Sequence, residues 1–272
     1  MMGSCVCTAS LRAAVRPGNA YSLPSEKEWI MTGWRARLGF LVPPGNPTVE
    51  TEMIALAPHG VTVHFSRLVA HGVPGSHTGQ EERNQTMVAH AAESAGLLAM
   101  VKPDVIILTH TATSYTLGPQ KEAELVARLS EQCGTIVETA FASVLEALRV
   151  LGVRKIALGT PYGEGTTLKG KALLEQHGFM VVSHGRLEGV TNIYDETPER
   201  AYRLGRSLDK DDVEAVFLSG TGMPTISILD TLERDLGKPA ISAASAMMWR
   251  ALHLAGVREP ITGYGRLLAG GL

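Results

Sequence analysis

The stretch DVIILTHTATSY, residues 104–115, is an apolar run that ends in a histidine among hydroxyls. It returns 110 residues later as EAVFLSGTGMPT, residues 214–225. Four consecutive apolar residues bounded by polar turn residues predict a short strand covered on both faces. The match extends outward on either side. RLGFLVPPGNPT (37–48) is answered by RKIALGTPYGEGT (154–166), and ASVLEALRVLGV (142–153) by SAMMWRALHLAGV (245–257). Smaller echoes lie between, His59-Gly60 with His177-Gly178 and His71-Gly72-Val73 with Glu188-Gly189-Val190. A period this long is not a solenoid repeat. It predicts two similar halves related by a pseudo-twofold axis.

Each half alternates strand and helix. Residues 37–42, 61–69, 104–109 and 135–138 read as strands, as do 154–160, 180–187, 214–219 and 239–242. Helical spacing fills 81–101 and 198–208, and also 118–134, which opens on Gly118-Pro119 and stops at Gly134. The expected class is α/β: two Rossmann-like, flavodoxin-like halves with parallel sheets. The predicted division is a disordered N-terminal extension (1–34), a first half made of 35–139 with 243–272, and a second half of 140–242. The extension has no helical or strand periodicity, and its only acidic residues are Glu26 and Glu28. It lacks the apolar centre of a secretory signal.

Composition narrows the function. Basic and acidic residues nearly balance, 25 against 27, with no basic stripe, which argues against nucleic acid and membrane surfaces as partners. No apolar run approaches the roughly 20 residues that span a bilayer. Three cysteines, two of them (Cys5, Cys7) in the extension, make no disulfide framework and suit a reducing, cytoplasmic setting. Homo-oligomerisation is left open.

Open α/β sheets bind ligands beyond the carboxyl ends of their strands. Four loops are expected there: 43–48, 109–115, 160–166 and 219–225. They bring Pro44, Gly45 and Asn46; His110, Thr111, Ala112, Thr113 and Ser114; Tyr162; and Gly220, Thr221 and Gly222 to one cleft between the halves. Hydroxyls and backbone N–H groups converging without Lys or Arg suit a small carboxylate, or the enediolate derived from one. Neither a dinucleotide fingerprint nor a P-loop occurs, and no cofactor is called for. Each hydroxyl has a structural alternative, since Ser and Thr after a strand also cap the next helix. His71 and His77 lack the partners of a metal site, and His77 is expected in a loop that closes the cleft.

VPPGNPTVE, HTATSYTLG, VRKIALGTPY, LSGTGMPT followed by LERDLGKPAIS, WRALHLAGV and GYGRLL stand in this order between Arg37 and Leu268. In these motifs the chain resembles the aspartate/glutamate racemase superfamily, in particular its arylmalonate decarboxylase and maleate isomerase branch. The resemblance implies two catalytic cysteine positions on opposite faces of the substrate, of which the decarboxylase keeps the second. Here they fall on His110 and Gly220. It also implies a dioxyanion site in which Thr111 and Tyr162 are donors and Ala112 stands for a serine, with Thr113 or Ser114 as compensating donors. The expected activity is a cofactor-independent decarboxylation of a small carboxylate or dicarboxylate, with His110 as sole proton donor. Three alternatives stay open: a maleate-isomerase-like isomerase, a lyase or hydrolase using His110 as general base, and a non-catalytic dicarboxylate binder.

Overall fold

The structure is a computed structural model that describes residues 32–270. All but the last three residues of the N-terminal extension, Cys5 and Cys7 included, lie outside the described residues. The first sheet holds β1 (Ala36–Val42), β2 (Val61–Arg67), β3 (Val105–Leu108) and β4 (Ile136–Thr139), in the order β2-β1-β3-β4. The second repeats it with β5 (Lys155–Thr160), β6 (Met180–Arg186), β7 (Ala215–Leu218) and β8 (Ala240–Ser242), in the order β6-β5-β7-β8. Every pairing is parallel. The α/β class read from the sequence is the fold observed.

The continuous apolar runs now have their reason: each central strand is covered on both faces. In β3, Val105 and Ile107 join the core that holds Met247, Met248 and Ala251 of α8 (Ala243–Leu254). Ile106 and Leu108 join Met87 and Leu98 of α2 (Gln80–Ala99) and Leu125 and Leu129 of α3 (Thr111–Cys133). In β7, Phe217 packs with Phe141, Val144 and Leu148 of α4 (Ala140–Val150). Val216 and Leu218 face Leu204 of α6 (Pro198–Ser207) and Leu229 and Leu232 of α7 (Ile226–Leu236). A fully buried side chain of this size contributes about 1.5–3 kcal/mol.

Two helices cross between the halves. α4 follows β4 in sequence yet buries its apolar face against Ile156, Leu158 and Ile241 of the second sheet. α8 follows β8 and packs on Leu38 and Phe40 of the first. Both start at equivalent caps: Thr139 accepts from the Ala142 N–H, and Ser242 and Ser245 form a reciprocal capping box. The remaining helices are α1 (Thr48–Leu56) and α5 (Glu164–Gln176), with a single 3₁₀ turn at Ile193–Asp195.

One helix boundary differs from the sequence reading. α3 starts at Thr111, directly after β3, and is interrupted at Gly118 (φ 70°, ψ 173°). Pro119 disfavours helical geometry in the residue before it, and glycine tolerates the positive φ that results. The Gly-Pro pair marks a break inside the element, not its start. β1 and β3 end level, Leu41 beside Leu108, and so do β5 and β7, Gly159 beside Leu218. The four loops therefore emerge side by side.

Candidate active site

His110 leaves β3 in extended geometry (φ −140°, ψ 98°) as the residue that caps α3. Its Nδ1 shares a 2.9 Å hydrogen bond with the Thr113 hydroxyl one helical turn on, and the Thr113 N–H donates to the His110 carbonyl at 3.1 Å. The residue is 8% exposed and lines a cleft shared with Pro44, Arg83 and Tyr194. No described residue bonds Nε2. Burial, and after it the charge of Arg83, push the imidazole down from 6.5 to about 4. Among the described residues no carboxylate pairs with it to oppose this.

Behind His110 lies a closed cluster of hydroxyls. Thr111 Oγ1 is 3.0 Å from the Tyr162 hydroxyl and 3.2 Å from Ser219 Oγ, which is 2.8 Å from the Tyr115 hydroxyl. It joins the halves, since Thr111 and Tyr115 belong to the first and Tyr162 and Ser219 to the second. All four residues are buried, and burial raises both phenols well above their ordinary value. They act as neutral donors, not as acids.

The other expected hydroxyls are committed elsewhere. Ser114 donates to Glu122 at 2.7 Å, and Thr139 donates to the same oxygen at 2.5 Å, so Ser114 points into the first half's interior. Thr113 is held by His110. Thr221 donates to the Thr109 carbonyl at 2.8 Å and accepts from Asn46 Nδ2 at 3.3 Å. Asn46 Oδ1 caps α1 through the Thr48 and Val49 N–H groups. Ala112 is wholly buried in the core beside Phe141. Asn46 and Thr221 therefore tie the halves together, while Thr113 and Ser114 are bonded within the first half.

The glycines have steric reasons. Gly220 has φ +95°, and a Cβ there would stand 2.6 Å from Pro161 Cδ. At Gly222 it would meet the Tyr194 ring at 2.7 Å, and at Gly45 it would collide with Pro74. Among the described residues the one cysteine is Cys133, the last residue of α3, at the opposite end of that helix from His110.

The segment 70–79 of the first half reaches over the cleft to the second. His77 Nε2 is 2.9 Å from the Pro161 carbonyl, and the Ile193 N–H donates to the Gly75 carbonyl at 2.9 Å. From α2, Arg83 donates to the Thr78 carbonyl at 2.6 Å and to the Ser76 carbonyl. Arg83 and Tyr194 are cleft residues that the loop-based reading missed. Arg83 sits in EERN, an ordinary amphipathic helix start, and Tyr194 in a connection outside the repeat; neither carries a motif.

Two like halves with parallel sheets and a cleft at their strand ends are the architecture of the aspartate/glutamate racemase superfamily, and the chain's similarity to known proteins places it there. The arylmalonate decarboxylase family model matches residues 38–268, and the chain belongs to that family. It is 30% identical over 245 residues to maleate isomerase from Nocardia farcinica, covering 85% of this chain and 95% of that one. To arylmalonate decarboxylase from Bordetella bronchiseptica it is 28% identical over 236 residues, with 85% and 95% covered. A solved structure of a cysteine-to-serine mutant of Nocardia farcinica maleate cis-trans isomerase with a covalently bound succinylcysteine intermediate superposes with a TM-score of 0.78 at 29% identity, covering 86% of this chain and 98% of that one.

Proposed function

We propose that the protein is a cofactor-independent decarboxylase of a small carboxylate whose intermediate is an enediolate, with His110 as the group that carries the proton. The observation that carries this reading is one titratable side chain on the cleft wall, His110, followed in the chain by Thr111, whose buried hydroxyl is bonded to that of Tyr162. A substrate carboxylate at the cluster takes the hydroxyls that Thr111 and Tyr162 now spend on each other. Cleavage of the bond to the second carboxyl group releases CO₂, and the electron pair moves onto the retained carboxylate as an enediolate. Donors already in place stabilise that charge as it develops. His110 then delivers a proton to carbon and regains one from solvent.

A buried imidazole beside a guanidinium is neutral at pH 7, so it takes up its proton when the carboxylate arrives, the bound negative charge raising its affinity. Covalent cysteine chemistry is the weaker reading for this cleft. Gly220 offers neither a thiol nor room for one, and Cys133 is at the wrong end of its helix. One specific observation favours a second reading. His110 is unprotonated at rest, the state in which a general base removes an acidic C–H proton, as an isomerase or lyase would require.

Both readings are separated by one experiment in D₂O with substituted malonates and with maleate, His110→Ala serving as control. Release of CO₂ with one deuterium placed stereospecifically on the α-carbon, absent in the variant, supports the decarboxylase. Deuterium exchange without CO₂ moves the assignment to the base mechanism. With His110 in the place of the family's first cysteine, protonation occurs on the face opposite to that used by arylmalonate decarboxylase. A product of the same hand as that enzyme's would refute this placement.

A further inference from the structure

Arg83 is the single Lys or Arg side chain on the wall of the cleft that His110 lines, and none of the described carboxylates pairs with it. Gly72 and Gly79, both at positive φ, lie against its guanidinium. Two carbonyls, of Ser76 and Thr78, hold the guanidinium in place and occupy two of its five N–H donors. Tyr194 lies on the same wall, its hydroxyl bonded to no described residue and its phenol pushed up to about 12, first by burial. A partly buried guanidinium with spare donors, fixed by backbone carbonyls and touched by no described carboxylate, with Glu82 beside it in α2 acting only from beyond contact distance, is an arrangement that recognises a carboxylate. The rest of the wall combines apolar Pro43, Pro74, Met87 and Ile193 with the neutral amides of Gln80 and Asn84.

We propose that Arg83, with the Tyr194 hydroxyl beside it, holds a further carboxylate of the substrate, distinct both from the retained one at Thr111 and Tyr162 and from the carboxyl group that departs, and thereby selects compact substrates with an anionic substituent over aryl ones. The proposal rests on the reading of Thr111 and Tyr162 as the first carboxylate site. It makes Arg83 a specificity residue; the chemistry stays with His110. It also places the distal carboxylate beside a cation and leaves the carboxyl group that departs in neutral surroundings, where its loss is not opposed.

The test is calorimetric binding of charge-matched pairs that do not react, succinate against butyrate and glutarate against pentanoate. It uses the full chain and its Arg83→Gln, Arg83→Lys and His110→Ala variants. The wild type is expected to prefer each diacid about tenfold or more, the size of one charge-assisted contact. Arg83→Gln loses that preference while keeping its affinity for the monoacids, and Arg83→Lys recovers part of it. An Arg83 that served only to tether segment 70–79 would weaken diacids and monoacids alike, and that result overturns the proposal. So does an undiminished diacid preference in Arg83→Gln. Because turnover is not read, His110→Ala retains the preference even if the decarboxylase assignment fails. If the wild type binds no carboxylate, the site reading and the proposal fall together.

Discussion

Replacing His110 with Gln removes a base that the fold holds neutral, and the consequence for stability can be worked out with its sign. The folded imidazole sits near 4 against an ordinary 6.5, burial being the larger cause and Arg83 the lesser. Above pH 6.5 neither the folded nor the unfolded chain protonates this residue, and it contributes no pH dependence. Between 6.5 and 4 the unfolded chain binds a proton that the folded chain refuses, so stability falls with pH by about 1.4 kcal/mol per unit. At pH 5 the accumulated loss is about 2 kcal/mol, and below 4 it saturates near 3 kcal/mol. His110→Gln also loses the bond to Thr113, which shifts stability by an amount that does not change with pH. The measurement is urea unfolding of wild type and variant from pH 7.5 to 5. The difference between the two should move by about 2 kcal/mol in the variant's favour as pH drops. A difference that stays flat over this range would falsify the claim that His110 is desolvated and beside an unpaired cation, and with it the base-at-rest picture of the site.

Glu52 gives the opposite sign. Its Oε1 accepts from the Thr225 and Ile226 N–H groups, bracing α7 from α1 across the halves, while Oε2 is buried without a partner. Burial raises its carboxyl from 4.5 to about 7, so it stabilises the fold below 4.5 and that contribution is lost as pH rises through 7. Between pH 6 and 8, Glu52→Gln should gain roughly 1 kcal/mol relative to wild type in denaturant unfolding, and no gain would show that the carboxylate is better solvated than its burial implies. Gly220→Ala forces a side chain into positive φ against Pro161 and should cost about 1–3 kcal/mol, read as a lower midpoint; an unchanged midpoint would mean that the loop relaxes freely. Thr111→Val leaves the Tyr162 hydroxyl without its partner, with an expected cost of about 1–3 kcal/mol. It should also lower turnover about 100-fold if Thr111 is an enediolate donor, and a loss of stability with turnover intact would confine Thr111 to the scaffold.

The architecture was legible because the apolar pattern reports it directly. Runs such as VIIL and AVFL are what a strand covered on both faces requires, and the repeat of DVIILTHTATSY as EAVFLSGTGMPT exposes the duplication without any coordinates. The register of parallel strands then brings loops 43–48, 109–115, 160–166 and 219–225 to one edge. The direction of each side chain in those loops was not legible. Ser114 and Thr111 are both small hydroxyl residues in the same turn, yet one reaches Glu122 and the other Tyr162 and Ser219. Three positions apart, they lie about 60° from each other on the same side of the helix, so only the neighbouring elements decide which reaches the other half.

By itself the sequence determined the class of fold, the two halves and the strand ends at which their loops meet, because periodicity and repetition are local properties of a chain. Tertiary structure alone decided which groups share an environment. Segment 70–79 docks on Pro161 and Ile193, and Arg83 and Tyr194 come to stand beside His110. Burial and charge act through space, so the protonation of His110 depends on residues that no spacing along the chain connects to it.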